Sequence, residues 1–339
     1  MKISISSCRL VVAGWFSLLA VLGPYCGMIA ASEDAADAGQ GIVVTVSPPA
    51  SDVGLATLNR GGNAVDTAVA TAFALAVTWP AAGNIGGGGF MMVYPGPGRD
   101  PVCVEYRETA PAAATADLLV RDFRMDGHRV AATPGTVAGL ALAHKEWGTL
   151  PWRELVMPAV RLARDGFEVD EALAGSLNGA LQANRQYAEL QRVYRPLGKE
   201  KWQAGDRLVQ ADLARTLESI ADGGPDAFYR GPIADLIAAE MEAGGGLITR
   251  DDLARYQAKL RKPIHGSYRG YDVYGPPPPS SGGICLVEML NILENFQLNE
   301  NSSRQPPIGQ PAHWSPQAMH LVIEAMRRAY CDRARHLGD

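Results

Sequence analysis

One arginine and one run of glycines are the groups in this 339-residue sequence whose surroundings suit recognition of a small molecule. Arg107 stands in Tyr106-Arg107-Glu108-Thr109-Ala110-Pro111, where the β-forming stretch Val102 to Arg107 runs out into a loop. Strand ends are where a scaffold presents side chains to ligands, and a planar guanidinium grips a carboxylate through two parallel hydrogen bonds. The same residue types also allow a structural ion pair between Arg107 and Glu108 or another acid. The run Gly86-Gly87-Gly88-Gly89 exposes bare backbone amides of the kind that cradle anions. A phosphate loop, however, needs Lys and then Ser or Thr after its spaced glycines, and here Phe90-Met91-Met92 follows. Nucleotide binding is therefore excluded, and the run reads as a tight, close-packed turn.

Other reactive groups carry less. The six histidines, His128, His144, His265, His313, His320 and His336, show no metal-ligand spacing, so no metal or cofactor is expected. Ser280-Ser281-Gly282-Gly283 reads as a turn and N-cap, because the sequence has no Gly-x-Ser-x-Gly elbow to expose a serine nucleophile. Cys103 and Cys285 sit among apolar neighbours, and with Cys331 they make an odd number after the first thirty-odd residues. Buried free thiols fit this better than a disulfide framework.

The elements that must position these groups follow from periodicity. Residues 42–46 are rich in β-branched side chains and predict a first strand, with a short helix over 50–60 closed by Gly61-Gly62. Asn63 suits the N-cap of the next helix, 64–77, and Asp66 suits its first turn. That helix is apolar nearly all round and so belongs in a core. Phe90 to Tyr94 and Val102 to Arg107 predict a hairpin. Amphipathic spacing predicts helices over 135–147, 152–165, 168–183, 210–222, 232–243 and 250–258. A strand over 268–274, a helix over 284–296, a Pro-rich loop over 297–312 and a last helix from Pro316 complete the pattern.

Composition bounds the class: 47% hydrophobic and 20% charged is globular, and a net charge of -5 with scattered basic residues gives no footprint for nucleic acid. Lys2 and Arg9 precede an apolar run from Leu10 to Leu22, broken by Gly23-Pro24. That order is a signal peptide's, so residues 1–32 predict export to the periplasm or outside the cell, with a retained membrane anchor as the alternative.

Gly61 to Ala70, Ile85 to Met91, Tyr106 to Pro111, Pro134-Gly135, Gly148 to Trp152, Leu162 to Phe167, Pro276 to Gly283, and Glu324-Ala325 to Asp332-Arg333 with Leu337-Gly338-Asp339 stand in this order. Taken together, these segments resemble the γ-glutamyltransferase (glutathione hydrolase) family of the N-terminal-nucleophile class. Trp79 to Asn84 departs from the pattern, standing where relatives more often carry a histidine- or serine-containing turn.

The resemblance implies an α+β, four-layer αββα sandwich, incomplete over 40–339, of which this chain is the large-subunit region. It implies γ-glutamyl transfer or hydrolysis on glutathione and γ-glutamyl amides, with water, an amino acid or a peptide as acceptor, and a small subunit cut from the same precursor as partner. It also implies a threonine nucleophile that lies beyond Asp339, so that the chain alone is expected to be inactive. Arg107 matches the family arginine that holds the α-carboxylate of the γ-glutamyl group. Related acylases, γ-polyglutamate-processing enzymes and an inert scaffold are the alternatives; Arg107 favours a γ-glutamyl donor, because a glutaryl group has no α-carboxylate there.

Overall fold

The computed structural model describes residues 41–118, 127–298 and 315–338. Residues 1–32, expected to be the export signal, and His313 lie outside the described residues. Pro48 and Pro49, whose missing N–H groups cost nothing in a first turn, start α1 (Pro48–Asn59). Asn63 caps α2 (Ala64–Thr78) as its composition predicts: its carboxamide oxygen accepts from the amides of Val65 and Asp66, and Asp66 accepts in return from the amide of Asn63.

Helix α2 is the centre of the helical layer. Val69, Phe73 and Val77 are fully buried, packed with Val137 and Leu140 of α3 (Thr136–Trp147) and with Leu155, Val156 and Val160 of α4 (Trp152–Asp165). The ring of Phe73 meets Trp152 edge-on at 5.4 Å, and the Trp152 indole donates to the carbonyl of Ile220 at 2.9 Å. Each such buried side chain contributes roughly 1.5–3 kcal/mol.

Strands β1 (Phe90–Val93) and β2 (Val102–Glu105) form the expected antiparallel hairpin, pairing Phe90 with Glu105 and Val93 with Val102. After α4, β3 (Phe167–Glu168) leads into α5 (Glu171–Ala183), then α6 (Ala188–Tyr194), and β4 (Arg207–Leu208) pairs back on β3. The next helix, α7 (Ala211–Tyr229), runs past the expected 222 because two helical segments follow one another across a kink. The backbone turns out of the helix at Gly224 (φ 65°), and Pro225, suited to a first helical turn, starts the second segment. α8 (Pro232–Gly244) and α9 (Arg250–Arg255) follow. β5 (Lys259–Arg261) joins the sheet on the outer side of β2, giving the order β1-β2-β5. Arg261 ties that sheet laterally through an ion pair with Glu105 at 2.6 Å.

The single strand expected over 268–274 is instead the second half of a hairpin, β6 (Ile264–Tyr268) and β7 (Tyr271–Gly275). Arg269 (φ 51°) and Gly270 (φ 82°) both adopt the left-handed conformation that a two-residue hairpin turn demands. The guanidinium of Arg269 lies over the Tyr268 ring and donates to the carbonyl of Phe296, holding the non-glycine residue in place. α10 (Gly282–Leu293) and α11 (Pro316–His336) pack together beyond this hairpin.

The strand expected over 42–46 does not form. Ile42, Val44 and Val46 are 78%, 87% and 61% exposed, and among the described residues no strand pairs with them. β-branched composition favours a pleated surface only where a neighbouring strand completes it. Among the described residues, no helix is long and apolar enough to cross a membrane.

Asp66 does more than cap. Its fully buried carboxylate also accepts from the amide and hydroxyl of Thr149, at 2.9 and 2.6 Å, and from the amide of Leu150 at 3.3 Å, tying the start of α2 to the α3–α4 connection. Burial works to raise its pKa, and the hydrogen bonds from Thr149, Asn63 and Leu150 outweigh burial, so the net shift is downward. A carboxyl whose folded pKa is depressed adds stability above the unfolded value of about 3.9 and loses it as pH falls through the folded value. Asp66→Ala is expected to lower the unfolding free energy by about 2–4 kcal/mol in urea titrations at neutral pH. The difference from wild type should shrink as the pH is taken below about 4.

Candidate active site

Arg107 leaves the sheet between two antiparallel backbone exchanges. On one side Gly89 and Tyr106 trade hydrogen bonds, amide of Gly89 to carbonyl of Tyr106 at 3.2 Å and amide of Tyr106 to carbonyl of Gly89 at 3.0 Å, which carries the β1–β2 ladder one pair further. On the other side Thr109 and Thr133 do the same at 3.2 and 2.8 Å. The arginine is thus held at a strand end, as the sequence predicts, by a loop pinned on both flanks.

The glycine run lies directly beneath this loop. The carbonyl of Gly87 accepts from the amides of Gly135 and Thr136, at 2.7 and 3.0 Å, and so closes the N-terminus of α3. The side-chain oxygen of Asn84 accepts from the amide of Gly87 at 2.9 Å and the hydroxyl of Thr136 at 2.7 Å. A Cβ on Gly88 would collide with the carbonyl oxygen of Tyr106 and stand 2.8 Å from the amide nitrogen of Glu108. On Gly139 it would enter the Tyr106 ring. The run is a close-packed turn at Gly87 to Gly89: the Gly87 carbonyl and the Gly89 amide bond to backbone, the Gly87 amide bonds to Asn84, and the missing side chain of Gly88 lets the arginine loop settle against it.

The Arg107 side chain is 42% exposed, and its Nε lies 3.7 Å from the Glu108 carboxylate. The neighbouring ion pair is therefore present, at a length beyond a hydrogen bond and at an exposure where such pairs are worth about 0–1 kcal/mol. Tyr106 is partly buried, and the desolvation of its phenol, with the nearby Cys103, pushes its pKa up to about 12. The Cys103 thiol is itself raised to about 11, first by burial and then by Glu105, so it is an inert core group and not a nucleophile. Cys285 is also buried and free, while Cys331 is free and exposed.

Two supports for the loop come from α9 and its end and are not signalled by the spacing around Arg107. Asp252 accepts from the amide of Ala112 at 2.9 Å, and the hydroxyl of Tyr256 donates to the carbonyl of Arg107 at 2.7 Å. The pattern Thr249-x-x-Asp252 is that of a capping box, and the structure has both of its halves. Nothing in the sequence says which distant segment the box also holds.

The other candidate groups are structural. His128 pairs with Glu240 at 2.9 Å, His144 bonds the carbonyl of Leu150 at 2.8 Å, and His265 pairs with Asp272 at 2.8 Å. Ser281 occupies the N-cap of α10, but its hydroxyl accepts from Arg333 at 2.8 Å instead of capping an amide.

Residues 50–339 match the family described as gamma-glutamyltranspeptidase. The chain belongs to that family. It is 46% identical over 308 residues to the glutathione hydrolase proenzyme of Escherichia coli (strain K12), covering 88% of this chain and 51% of that protein. It is 40% identical over 317 residues to the acylase ACY 1 proenzyme of Pseudomonas sp. (strain SE83), covering 90% of this chain and 55% of that protein. The crystal structure of Helicobacter pylori gamma-glutamyltranspeptidase superposes with a TM-score of 0.80 at 40% identity, covering 88% of this chain and 84% of that one. These matches place the chain in the α+β fold that the resemblance implies. The chain spans about half the length of the curated relatives it matches, 51% of one and 55% of the other.

In this member of the family the glycine run separates two kinds of glycine. A Cβ on Gly86 meets nothing within 4 Å, whereas one on Gly88 meets backbone that has nowhere to go. Gly86→Ala is expected to leave the unfolding free energy unchanged within about 0.5 kcal/mol, while Gly88→Ala costs about 2 kcal/mol or more. Differential scanning calorimetry of the two variants beside wild type separates them.

Proposed function

We propose that this chain is the part of a γ-glutamyltransferase or glutathione hydrolase that recognises the γ-glutamyl donor, with Arg107 binding the donor's α-carboxylate. The observation that carries this reading is Arg107 itself: a half-exposed guanidinium at a strand end, on a loop pinned at Tyr106, Thr109 and Ala112, in a chain of this family. A charge that must bind a carboxylate bidentately needs a rigid base, and the pinned loop is one.

The attacking group is proposed to come from the companion small subunit. These 339 residues contain no Thr-Thr pair, the setting in which the family's nucleophile stands. In the complete enzyme the threonine hydroxyl adds to the γ-carbonyl, the amine leaves with a proton, and a γ-glutamyl ester forms. Water or the amine of an amino acid or peptide then takes the acyl group. The chain alone orients the donor and performs no bond making. Faces suited to the companion are the exposed Ile42 and Val44 and the stripe of Met319, Ile323, Met326 and Tyr330 along α11. Residues 1–32 are proposed to direct export, by cleaved signal or retained anchor.

An acylase acting on a side chain without an α-carboxylate is the second reading, favoured by the identity to the acylase proenzyme. Arg107→Ala in the complete, two-subunit enzyme decides between them. The expected result is a KM for a γ-glutamyl anilide raised about 10- to 100-fold, the value of a charge-assisted, bidentate contact. Arg107→Lys should recover only part of the loss, since a point charge lacks the fork. An unchanged KM in the alanine variant rejects the assignment.

A further inference from the structure

The two peptide planes that flank the Cα of Arg107 are each held by a hydrogen bond. The plane before it, 106–107, is held through the Tyr106 carbonyl by the amide of Gly89. The plane after it, 107–108, is held through the Arg107 carbonyl by the hydroxyl of Tyr256, 149 residues away in sequence. With both planes fixed, φ and ψ at residue 107 are fixed, and so is the direction in which its side chain leaves the backbone. A recognition group must be held to about 0.5 Å and 10–20° to keep its geometry.

Tyr256 is itself firmly seated. Its ring stacks on Tyr229 at 5.7 Å and 9°. The Tyr229 hydroxyl donates to the carbonyl of Pro134 at 3.0 Å and accepts from the amide of Ala138 at 3.2 Å. A Cβ on Gly135 would collide with the Tyr256 hydroxyl oxygen, so the phenol reaches Arg107 only because residue 135 has no side chain. Burial, with Tyr229 and the carboxylates of Glu108 and Glu105 nearby, raises the Tyr256 pKa, so the hydroxyl remains a donor through the working pH range.

We propose that Tyr256 is a positioning residue for γ-glutamyl recognition: by donating its hydroxyl hydrogen to the Arg107 carbonyl, it sets the direction from which the guanidinium meets the donor's α-carboxylate. The assignment rests on the reading of Arg107 given above. Tyr256 touches no reacting atom, and its removal acts on donor binding and not on the chemical step.

The test is a double-mutant cycle in the complete, two-subunit enzyme: wild type, Tyr256→Phe, Arg107→Ala and the double variant, assayed with a γ-glutamyl anilide. Phenylalanine keeps the ring stack and removes one neutral hydrogen bond. The expected result is a KM raised about fivefold with kcat within about twofold of wild type. In the Arg107→Ala background Tyr256→Phe should change KM no further, because the residue acts through the arginine. If Tyr256→Phe fails to accumulate, Tyr256→Leu replaces it, removing the same hydroxyl, and the same pattern is expected: KM raised at least about fivefold in the wild-type background and unchanged in the Arg107→Ala background. A Tyr256→Phe enzyme with wild-type KM, a fall in kcat alone, or a full additional effect in the Arg107→Ala background overturns the proposal while Arg107→Ala keeps its own large effect. An Arg107→Ala enzyme with wild-type KM overturns the reading beneath it instead.

Discussion

Close approach of backbone to backbone at Gly87 and Gly88 is the constraint on which the rest of the site depends. The carbonyl of Gly87 closes the first turn of α3, and the bare Cα of Gly88 lies against the Tyr106 carbonyl and the Glu108 amide. The turn therefore meets both the helix and the arginine loop at backbone atoms. Any Cβ at Gly88, Gly135 or Gly139 would drive one of the three away from the others. The Gly87 carbonyl and amide and the Gly89 amide of the run are taken up by bonds within the protein.

A second device appears twice. In both capping boxes, Asn63 with Asp66 and Thr249 with Asp252, the carboxylate at the third helical position accepts from its own cap and from a remote amide as well. Asp66 reaches Thr149 and Leu150, while Asp252 reaches Ala112. Both are buried, and both have pKa values that burial raises and hydrogen bonds lower, with a net fall. A buried carboxylate is tolerated only where donors surround it, and here those donors come from the segments that must be anchored. Capping, burial and loop placement are one arrangement.

How much of the fold is readable in the sequence varies with the range of the interaction. Helices are legible because their signals are local: the cap at Asn63 and the apolar faces of α3 and α4 lie within a few residues of one another. The hairpin of β1 and β2 is legible for the same reason. Residues 42–46 mislead because β-branched content states a preference that only a pairing partner satisfies. Residues 264–275 mislead because Arg269 takes a left-handed backbone that is uncommon for a non-glycine residue, here secured by Tyr268 and Phe296.

By itself the sequence determined the family, the helical layer, the free thiols and the arginine at the end of a strand, since ordered motifs and local periodicity need no coordinates. Only the tertiary structure decided what holds that arginine. Tyr256 and Asp252 stand 149 and 140 residues from the carbonyl and amide they bind, and no spacing rule links residues so far apart. A hydrogen bond across such a separation exists only after α7, α9 and the glycine turn have packed, so its partners become legible when the chain is folded.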